Sequence, residues 1–439
     1  MAARPGRRAR AAEDVVIDHN GLVRAVRNNR RVADWTVVQR ERRIAIAGES
    51  PVVRRAERQL GWELTVHHDA PQGRGTAHLS IKSVEGSPEA LVDQAVALAE
   101  SSVGPAWVSR PLAAPARVKL ADPAFGEREP LDIANEVLRR LSRPAGASVL
   151  ARVTVVREKV IVAAFGGLRT EWTATLVRVD ALVAAGERSL LVSRESRELA
   201  SLDIGPALAT AAADLERLAK AGAPPPGPCA LVLGADAMLH DGGYGVWAAF
   251  ASQADAVVAR QGLTRYRERT PIVPGADAVV EPLTIESDGS VDFGVRSAPI
   301  GDEGAAVRRF ALVERGIAVG LGLSPREAAL RKQDANGGVR NLVVALGTWR
   351  GPIEGGASRV VEVRRLRGLA IDRYTGEASL EIALAIEHAA GKSSAFTGGS
   401  IRIDLIDALA RARRSGTELS RGPYRGPDTV LVDRAELIA

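Results

Sequence analysis

The middle of the chain reads Cys229-Ala-Leu-Val-Leu-Gly-Ala-Asp-Ala-Met-Leu-His240-Asp241-Gly-Gly-Tyr-Gly245-Val. Its apolar start, closed by a glycine, predicts a buried strand over residues 229–234. The residues that follow predict a helix over about residues 235–260. The run Ala223-Pro-Pro-Pro-Gly-Pro228 stands directly before this strand and breaks the chain, because proline cannot continue regular structure. We therefore place the main domain boundary there.

The N-terminal part predicts strands that follow a short helix. Their alternating apolar residues are typical of half-buried strands, and they lie at residues 35–40, 43–47, 62–68 and 74–82. Residues 51–60 carry apolar side chains at helical spacing and predict a short helix. A clearer helix begins after Ser87, which suits the N-cap position, with Pro88 in the first turn.

The sequence of residues 104–222 begins with a connector rich in proline and alanine. It then predicts an antiparallel meander of strands with one helix before it and one helix after it. The helices are expected over residues 131–141 and 204–221, and the strands over residues 150–156, 159–164, 171–179 and 189–192. Gly166, Gly167 and Gly186 are expected to form the turns. The last helix of the chain is predicted over residues 404–414, closed by Gly416.

Strands and helices are segregated along the chain, which predicts an α+β fold rather than an alternating α/β sheet. We expect a disordered basic tail at residues 1–12 and an N-terminal α/β layer domain at 13–103. A central domain with antiparallel strands and flanking helices is expected at 104–222, followed by a β-rich C-terminal domain at 229–439.

Composition limits the function classes that the chain can belong to. The 439 residues include one cysteine, which excludes an intramolecular disulfide and a cysteine-rich metal site and favours a cytoplasmic location. The N-terminal arginines are not followed by an apolar segment, so we expect no secretory signal, and the sequence predicts no membrane span. A net charge of +6 is mild for this length, so nucleic acid is not the expected partner.

Several turn motifs follow one another in the C-terminal half. They are Gly301-Asp302-Glu303-Gly304, Ala335-Asn336-Gly337-Gly338 with Arg340-Asn341, Asp372-Arg-Tyr-Thr375-Gly376, and Thr397-Gly-Gly-Ser400. Each motif alone predicts only a turn, because glycine supplies positive φ and short polar side chains bond nearby amides. In this order and spacing the motifs resemble the TldD/PmbA family of metalloproteases and their partner subunits. The resemblance extends over most of the chain and is specific in the C-terminal half.

The resemblance implies a comparison with the HExxxH zinc motif that catalytic members of the family carry after the strand at 229–234. In this sequence His240 occupies the first ligand position, Asp241 the general-base position and Gly245 the second ligand position. A later cysteine ligand would fall near residues 420–426, where the sequence has none, and Cys229 lies before the motif. A catalytic zinc takes three protein ligands. We therefore expect no catalytic residue, no metal ligand and no cofactor in this chain.

The family also contains members without these ligands, and the resemblance implies that this chain is a non-catalytic, TldE (PmbA)-like subunit. Its expected partner is a TldD-like subunit that carries HExxxH and the zinc. The expected substrate is an unfolded peptide, such as a leader segment of a peptide natural product, gripped through its backbone at a sheet edge.

Other interpretations stay open at this point. The chain could be a stand-alone protein that binds peptide or nucleic acid, or an enzyme with a different site. A metal cluster of His67, His68 and His78 would need His68 and His78 to face each other across two strands, and we expect a polar strand end instead. Ser393 lies near His388 and Lys392, but we expect a loop there.

Overall fold

The computed structural model describes residues 17–49, 52–82, 86–110, 112–240, 242–350 and 359–439, without the side chain of Asp302. The predicted tail at 1–12 lies outside the described residues. The helices within these ranges are α1 His19–Asn28, α2 Pro88–Ser101, α3 Pro130–Arg140, α4 Ile204–Ala219, α5 Ala235–Met238, α6 Ala248–Gln253, α7 Ala256–Arg260, α8 Pro325–Arg331 and α9 Leu405–Arg411.

The strands form three sheets. They are β1 Asp34–Glu49, β2 Val52–Ala70, β3 Gly73–Ile81, β4 Val103–Gly104, β5 Ser148–Ala164, β6 Arg169–Ala185, β7 Arg188–Ser196, β8 Gly227–Gly234, β9 Thr270–Pro271, β10 Ile285–Asp288, β11 Arg309–Glu314, β12 Ile317–Ala318, β13 Asn341–Val344, β14 Arg359–Ile371, β15 Glu377–Ala389, β16 Lys392–Phe396, β17 Ser400–Asp404, β18 Arg413–Arg414, β19 Glu418–Arg421, β20 Tyr424–Pro427 and β21 Thr429–Ile438.

The first sheet has the strand order β4-β3-β2-β1-β5-β6-β7, the second β19-β20-β13-β10-β11-β12-β9, and the third β14-β8-β21-β17-β15-β16. The predicted α+β class is confirmed, since the chain combines separate helices with three sheets that contain long antiparallel pairs such as β2 with β3, β6 with β7 and β14 with β15. The central meander is present as β5, β6 and β7, with β6 and β7 antiparallel.

The chain divides into two compact units, residues 1–41, 59–111 and 159–171, and residues 42–58, 112–158 and 172–439. The domain boundaries expected from the sequence stay a prediction. In the first unit, α1 and α2 contribute Leu22, Val92 and Val96 to a buried core. The second unit holds one core under α3 and α4 and a larger core around β8 and α6.

Several local predictions are confirmed. Helix α2 begins at Pro88, and Ser87 accepts a hydrogen bond from the Ala90 amide as its N-cap. Gly166 and Gly186 adopt positive φ in the turns that flank β6. Between β14 and β15, the Asp372 carboxylate accepts hydrogen bonds from the Tyr374 and Thr375 amides, and Gly376 has φ +78°.

The predicted helix at 51–60 is wrong, because residues 52–60 belong to the long strand β2. Most side chains in this part of β2 are exposed, so the apolar residues at helical spacing have no core to cover. Backbone pairing of β2 within the sheet decides the structure instead. The strands predicted at 35–40 and 43–47 are both parts of one continuous strand, β1. Those predicted at 150–156 and 159–164 are likewise parts of one strand, β5.

The predicted helix at 404–414 is too long. Helix α9 ends at Arg411, and Arg413 and Arg414 pair with Leu431 and Val430 of β21. The buried guanidinium of Arg414 donates hydrogen bonds to the carbonyl oxygens of Ala345 and Glu281. These bonds hold the segment in an extended conformation that a helix would not allow.

Candidate functional site

Strand β8 places the candidate site at the end of a buried element. It lies between β14, to which it is parallel, and β21, to which it is antiparallel. Leu231 and Leu233 are fully buried, as the apolar run of the sequence predicts. Helix α5 begins directly after β8 and positions Asp236 in its first turn.

The helix expected over 235–260 is broken into short pieces, which corrects that prediction. Gly242, Gly243 and Gly245 all have positive φ, at +75°, +59° and +54°, so the chain turns after α5. A short turn at Gly245–Trp247 leads into α6, and Asp255 caps a new helix, α7. The paired glycines were the signal in the sequence for this break.

Gly245 cannot carry a side chain in this conformation. A Cβ atom built at Gly245 would overlap the carbonyl oxygen of Met238 and lie 2.7 Å from the Cα of Leu239. Positive φ adds strain for any residue other than glycine. His240 lies in the turn after α5, five positions before Gly245, and Asp241 lies outside the described residues.

Within the described residues, no group of three His, Cys, Asp or Glu side chains is arranged to hold a metal ion. Cys229 is buried on β8, and burial raises the pKa of its thiol.

The histidines of β2 and β3 do not face each other. The register pairs Thr65 with His78 and His68 with Gly75, so the facing arrangement of His68 and His78 considered from the sequence is wrong. The Nδ1 atom of His78 instead lies 3.1 Å from the Thr65 hydroxyl.

The loop predicted at Ser393 is also wrong, because Ser393 lies in β16 opposite His388 of β15. The hydroxyl of Ser393 lies 2.9 Å from Nδ1 of His388, whose Nε2 atom lies 3.4 Å from the Glu362 carboxylate. A turn with positive φ at Ala390 and Gly391 separates the two strands.

Three arginines converge on the carboxylate of Asp236. Arg194 and Arg421 approach one oxygen at 2.8 and 2.7 Å, and Arg365 approaches the other at 2.9 Å. These arginines come from β7, β14 and β19, which belong to the three different sheets. Burial alone would raise the pKa of Asp236, but the three guanidiniums outweigh it and lower the pKa from 3.8 to about 2.

A second carboxylate, the buried Asp214 of α4, continues this cluster. Arg365 donates to Asp214 at 2.9 Å, Arg364 lies at 3.3 Å and Arg217 at 3.0 Å. Arg365 therefore joins both aspartates through different edges of its guanidinium. The sequence analysis missed this cluster, and its one local signal was the Arg364-Arg365 pair beside the buried valines of β14.

The segment at 420–426, where the resemblance would place a third zinc ligand, forms the hairpin of β19 and β20 with Gly422 in the turn. Arg421 of this hairpin is the residue that contacts Asp236. Beside α5 lies a cavity of about 370 Å³, lined by residues that include Leu191, Arg194, His240 and Arg365.

The asparagines of the C-terminal motifs are structural. Asn336 accepts hydrogen bonds from the amides of Leu323 and Gly338 and donates to the carbonyl of Leu321. Asn341 donates to the carbonyl oxygen of Asp288. Both side chains are buried, so their amides replace backbone partners that the surrounding loops lack.

Residues 248–438 match the family model of the PmbA/TldA metallopeptidase C-terminal domain. A comparison with curated proteins finds no match.

Three solved structures share the fold. A protein named a modulator of DNA gyrase from Bacteroides thetaiotaomicron is 13% identical, covers 95% of this chain and 97% of its own, and has a TM-score of 0.74. TldE from Thermococcus kodakarensis is 16% identical, with coverage of 96% and 99% and a TM-score of 0.73. A protein named a modulator of a DNA gyrase from Thermotoga maritima is 14% identical, with coverage of 92% and 95% and a TM-score of 0.71.

Proposed function

We propose that this chain, whose residues 248–438 match the PmbA/TldA metallopeptidase C-terminal domain, is a TldE-like subunit that cleaves no peptide by itself. It works with a TldD-like partner that carries HExxxH and the catalytic zinc. The substrate of the pair is an unstructured peptide, such as the leader segment of a peptide natural-product precursor.

Gly245 carries this proposal. It stands where HExxxH requires the second histidine, and its backbone leaves no room for a Cβ atom. A histidine ligand at this position would require the turn after α5 to be rebuilt into a helix. The single histidine of the motif, His240, supplies one ligand of the three that a catalytic zinc takes.

The surroundings of Asp236 also favour a role without zinc. The hairpin at 420–426 contributes Arg421 to this cluster, and two more guanidiniums contact the same carboxylate. These three guanidiniums would repel a divalent cation placed beside Asp236. The repulsion is strong because the site is poorly solvated.

Strand β7 offers an edge for an extended peptide. Among the described residues it is hydrogen-bonded to β6 and ends the first sheet on that side. Its Leu191 is 59% exposed, and the strand lines the cavity beside α5. A peptide that adds to this edge would bond through its backbone, which tolerates many sequences.

The test is to purify this chain and the HExxxH-bearing relative from the same source, alone and mixed. We expect zinc to accompany the relative and cleavage of an unstructured peptide to require the mixture. A His240→Ala variant is the control for the metal, and the zinc content of the mixture should not change if this chain holds no zinc. Stoichiometric zinc and cleavage by this chain alone would overturn the proposal.

A second outcome would favour the alternative function. If this chain binds unstructured peptide but does not co-elute with the relative and leaves its cleavage rate unchanged, it is a stand-alone binding protein. Salt-dependent binding of DNA without peptide binding would indicate the nucleic-acid version of that alternative.

A further inference from the structure

A serine, a histidine and a glutamate lie in a row across three strands of the third sheet. Strands β15 and β16 are joined by a two-residue turn in which Ala390 and Gly391 both have positive φ, at +50° and +70°. Turns of this kind match the twist of the paired strands and fix their register. The register places Ser393 of β16 directly opposite His388 of β15.

Glu362 of β14 reaches the imidazole of His388 from the other side. Val360 of β14 pairs with His388, and Glu362 lies on the same face of the strand as Val360. The hydroxyl of Ser393 lies 2.9 Å from Nδ1 of His388, and the Glu362 carboxylate lies 3.4 Å from Nε2. Each ring nitrogen of His388 therefore has a partner on a different neighbouring strand.

The Glu362 carboxylate determines which ring nitrogen of His388 carries the proton. An ionised carboxylate only accepts hydrogen bonds, so it favours the tautomer with the proton on Nε2. Nδ1 then accepts the hydrogen bond of the Ser393 hydroxyl. Arg364 donates to the other oxygen of Glu362 at 3.1 Å and holds the carboxylate in this orientation.

The three side chains differ in their access to solvent. The side chains of His388 and Glu362 are only 13% and 14% exposed, whereas Ser393 is exposed on β16. A substrate can therefore approach the hydroxyl while the imidazole and its carboxylate stay shielded from water. A hydroxyl bonded to a base that a third group orients is the arrangement that activates a serine as a nucleophile.

We propose that Ser393 is a nucleophile that attacks activated esters, with His388 as the general base and Glu362 as the residue that positions it. Oγ of Ser393 forms a bond to the acyl carbon, and its proton moves to Nδ1 of His388. The ester C–O bond then breaks, and the departing alcohol or phenol takes up that proton. Water attacks the acyl group in the same way, which releases a carboxylic acid and restores the serine. An activated ester suits this site because its leaving group departs easily.

A fluorophosphonate tests the nucleophile, because it bonds covalently to an activated serine with loss of fluoride. The full chain is treated with the probe in the presence of EDTA, and tandem mass spectrometry of tryptic peptides identifies the labelled residue. We expect the label on Ser393 and its complete loss in Ser393→Ala. Ser394→Ala is the matched control and should be labelled like the wild type, since Ser394 is exposed on the opposite face of β16.

Hydrolysis of p-nitrophenyl acetate, measured above the Ser393→Ala background, tests the other two residues. A general base contributes about 10²–10⁴-fold, so His388→Gln should lower kcat by about a hundredfold or more. Glu362→Gln should lower kcat by about tenfold or more with KM unchanged, because its amide can donate to Nε2 and favour the opposite tautomer. If Glu362 only supported the fold, its variant would lose folded protein, which circular dichroism measures, and the remaining folded protein would keep its kcat.

Equal labelling of the wild type and Ser393→Ala, or no labelling of either, would overturn the proposal and would mean that the hydroxyl only holds His388 in place. A hydrolysis rate that His388→Gln leaves unchanged would contradict the role of the imidazole as the base. The proposal does not rest on the subunit role proposed above. Since the probes report no peptide cleavage and EDTA removes zinc, these results leave that role to its own test.

Discussion

Single glycines decide whether a side chain can stand at the candidate site. Gly242 and Gly245 both have positive φ and lie three residues apart. A Cβ atom at Gly242 would meet nothing within 4 Å, whereas at Gly245 it would overlap the Met238 carbonyl. A substitution at Gly242 therefore tests backbone strain alone, whereas a substitution at Gly245 tests backbone strain and steric overlap together.

We expect Gly245→Ala to destabilise the protein much more than Gly242→Ala. The φ angle alone costs an alanine about 1–2 kcal/mol at either position, and overlap with a backbone atom adds to this only at Gly245. Urea denaturation monitored by tryptophan fluorescence gives both free energies of unfolding. If the two variants lose the same stability, the close approach of Gly245 to Met238 is not a constraint on the fold.

At the scale of elements, buried amides connect loops that regular structure does not reach. Asn336 lies between α8 and β13, and its side chain bonds to the backbone of Leu321 and Leu323. This explains why an asparagine stands in the glycine-rich turn at 335–338. The motif on which the resemblance depends is thus a structural motif of this β-rich half.

We expect Asn336→Ala to lower the free energy of unfolding by about 2–4 kcal/mol, because it leaves the Leu323 amide and the Leu321 carbonyl buried without partners. Asp334→Ala is the matched control, since this neighbouring side chain is 77% exposed and its loss should be close to neutral. Thermal or urea denaturation of the two variants decides the question. A nearly neutral Asn336→Ala would mean that water replaces the amide.

Across the whole molecule, one carboxylate connects the three sheets. Asp236 receives Arg194 from the first sheet, Arg421 from the second and Arg365 from the third. The charges are buried or largely buried, so their mutual attraction is strong, but removal of any partner leaves the rest uncompensated. The cluster therefore makes stability depend on the charge of Asp236.

We expect this dependence to appear at acid pH. The pKa of Asp236 falls from 3.8 to about 2 on folding, so its contribution is fully present above about pH 4 and is lost as pH falls toward 2. The shift corresponds to about 2 kcal/mol. The stability difference between wild type and Asp236→Asn, measured by urea denaturation, should shrink by about this amount from pH 5 to pH 2. A difference that stays constant with pH would contradict the shifted pKa.

Local features of the sequence were sufficient for much of the fold. The N-cap of α2, the glycine turns around β6, the hairpin turn at Asp372 and the buried strand at 229–234 each depend on neighbouring residues. Their conformations follow from backbone preferences and short side-chain hydrogen bonds. The glycine at position 245 was likewise visible as a residue that cannot bind zinc.

Tertiary structure alone decided the extended state of residues 52–60 and the arginine cluster around Asp236. Pairing of β2 within its sheet overrides a weak helical pattern, because neighbouring strands provide partners for backbone hydrogen bonds. Arg194 and Arg421 lie 42 and 185 residues from Asp236 in sequence, so no local pattern could bring them together. The arginine cluster exists only because three sheets each direct an arginine to the carboxylate of Asp236.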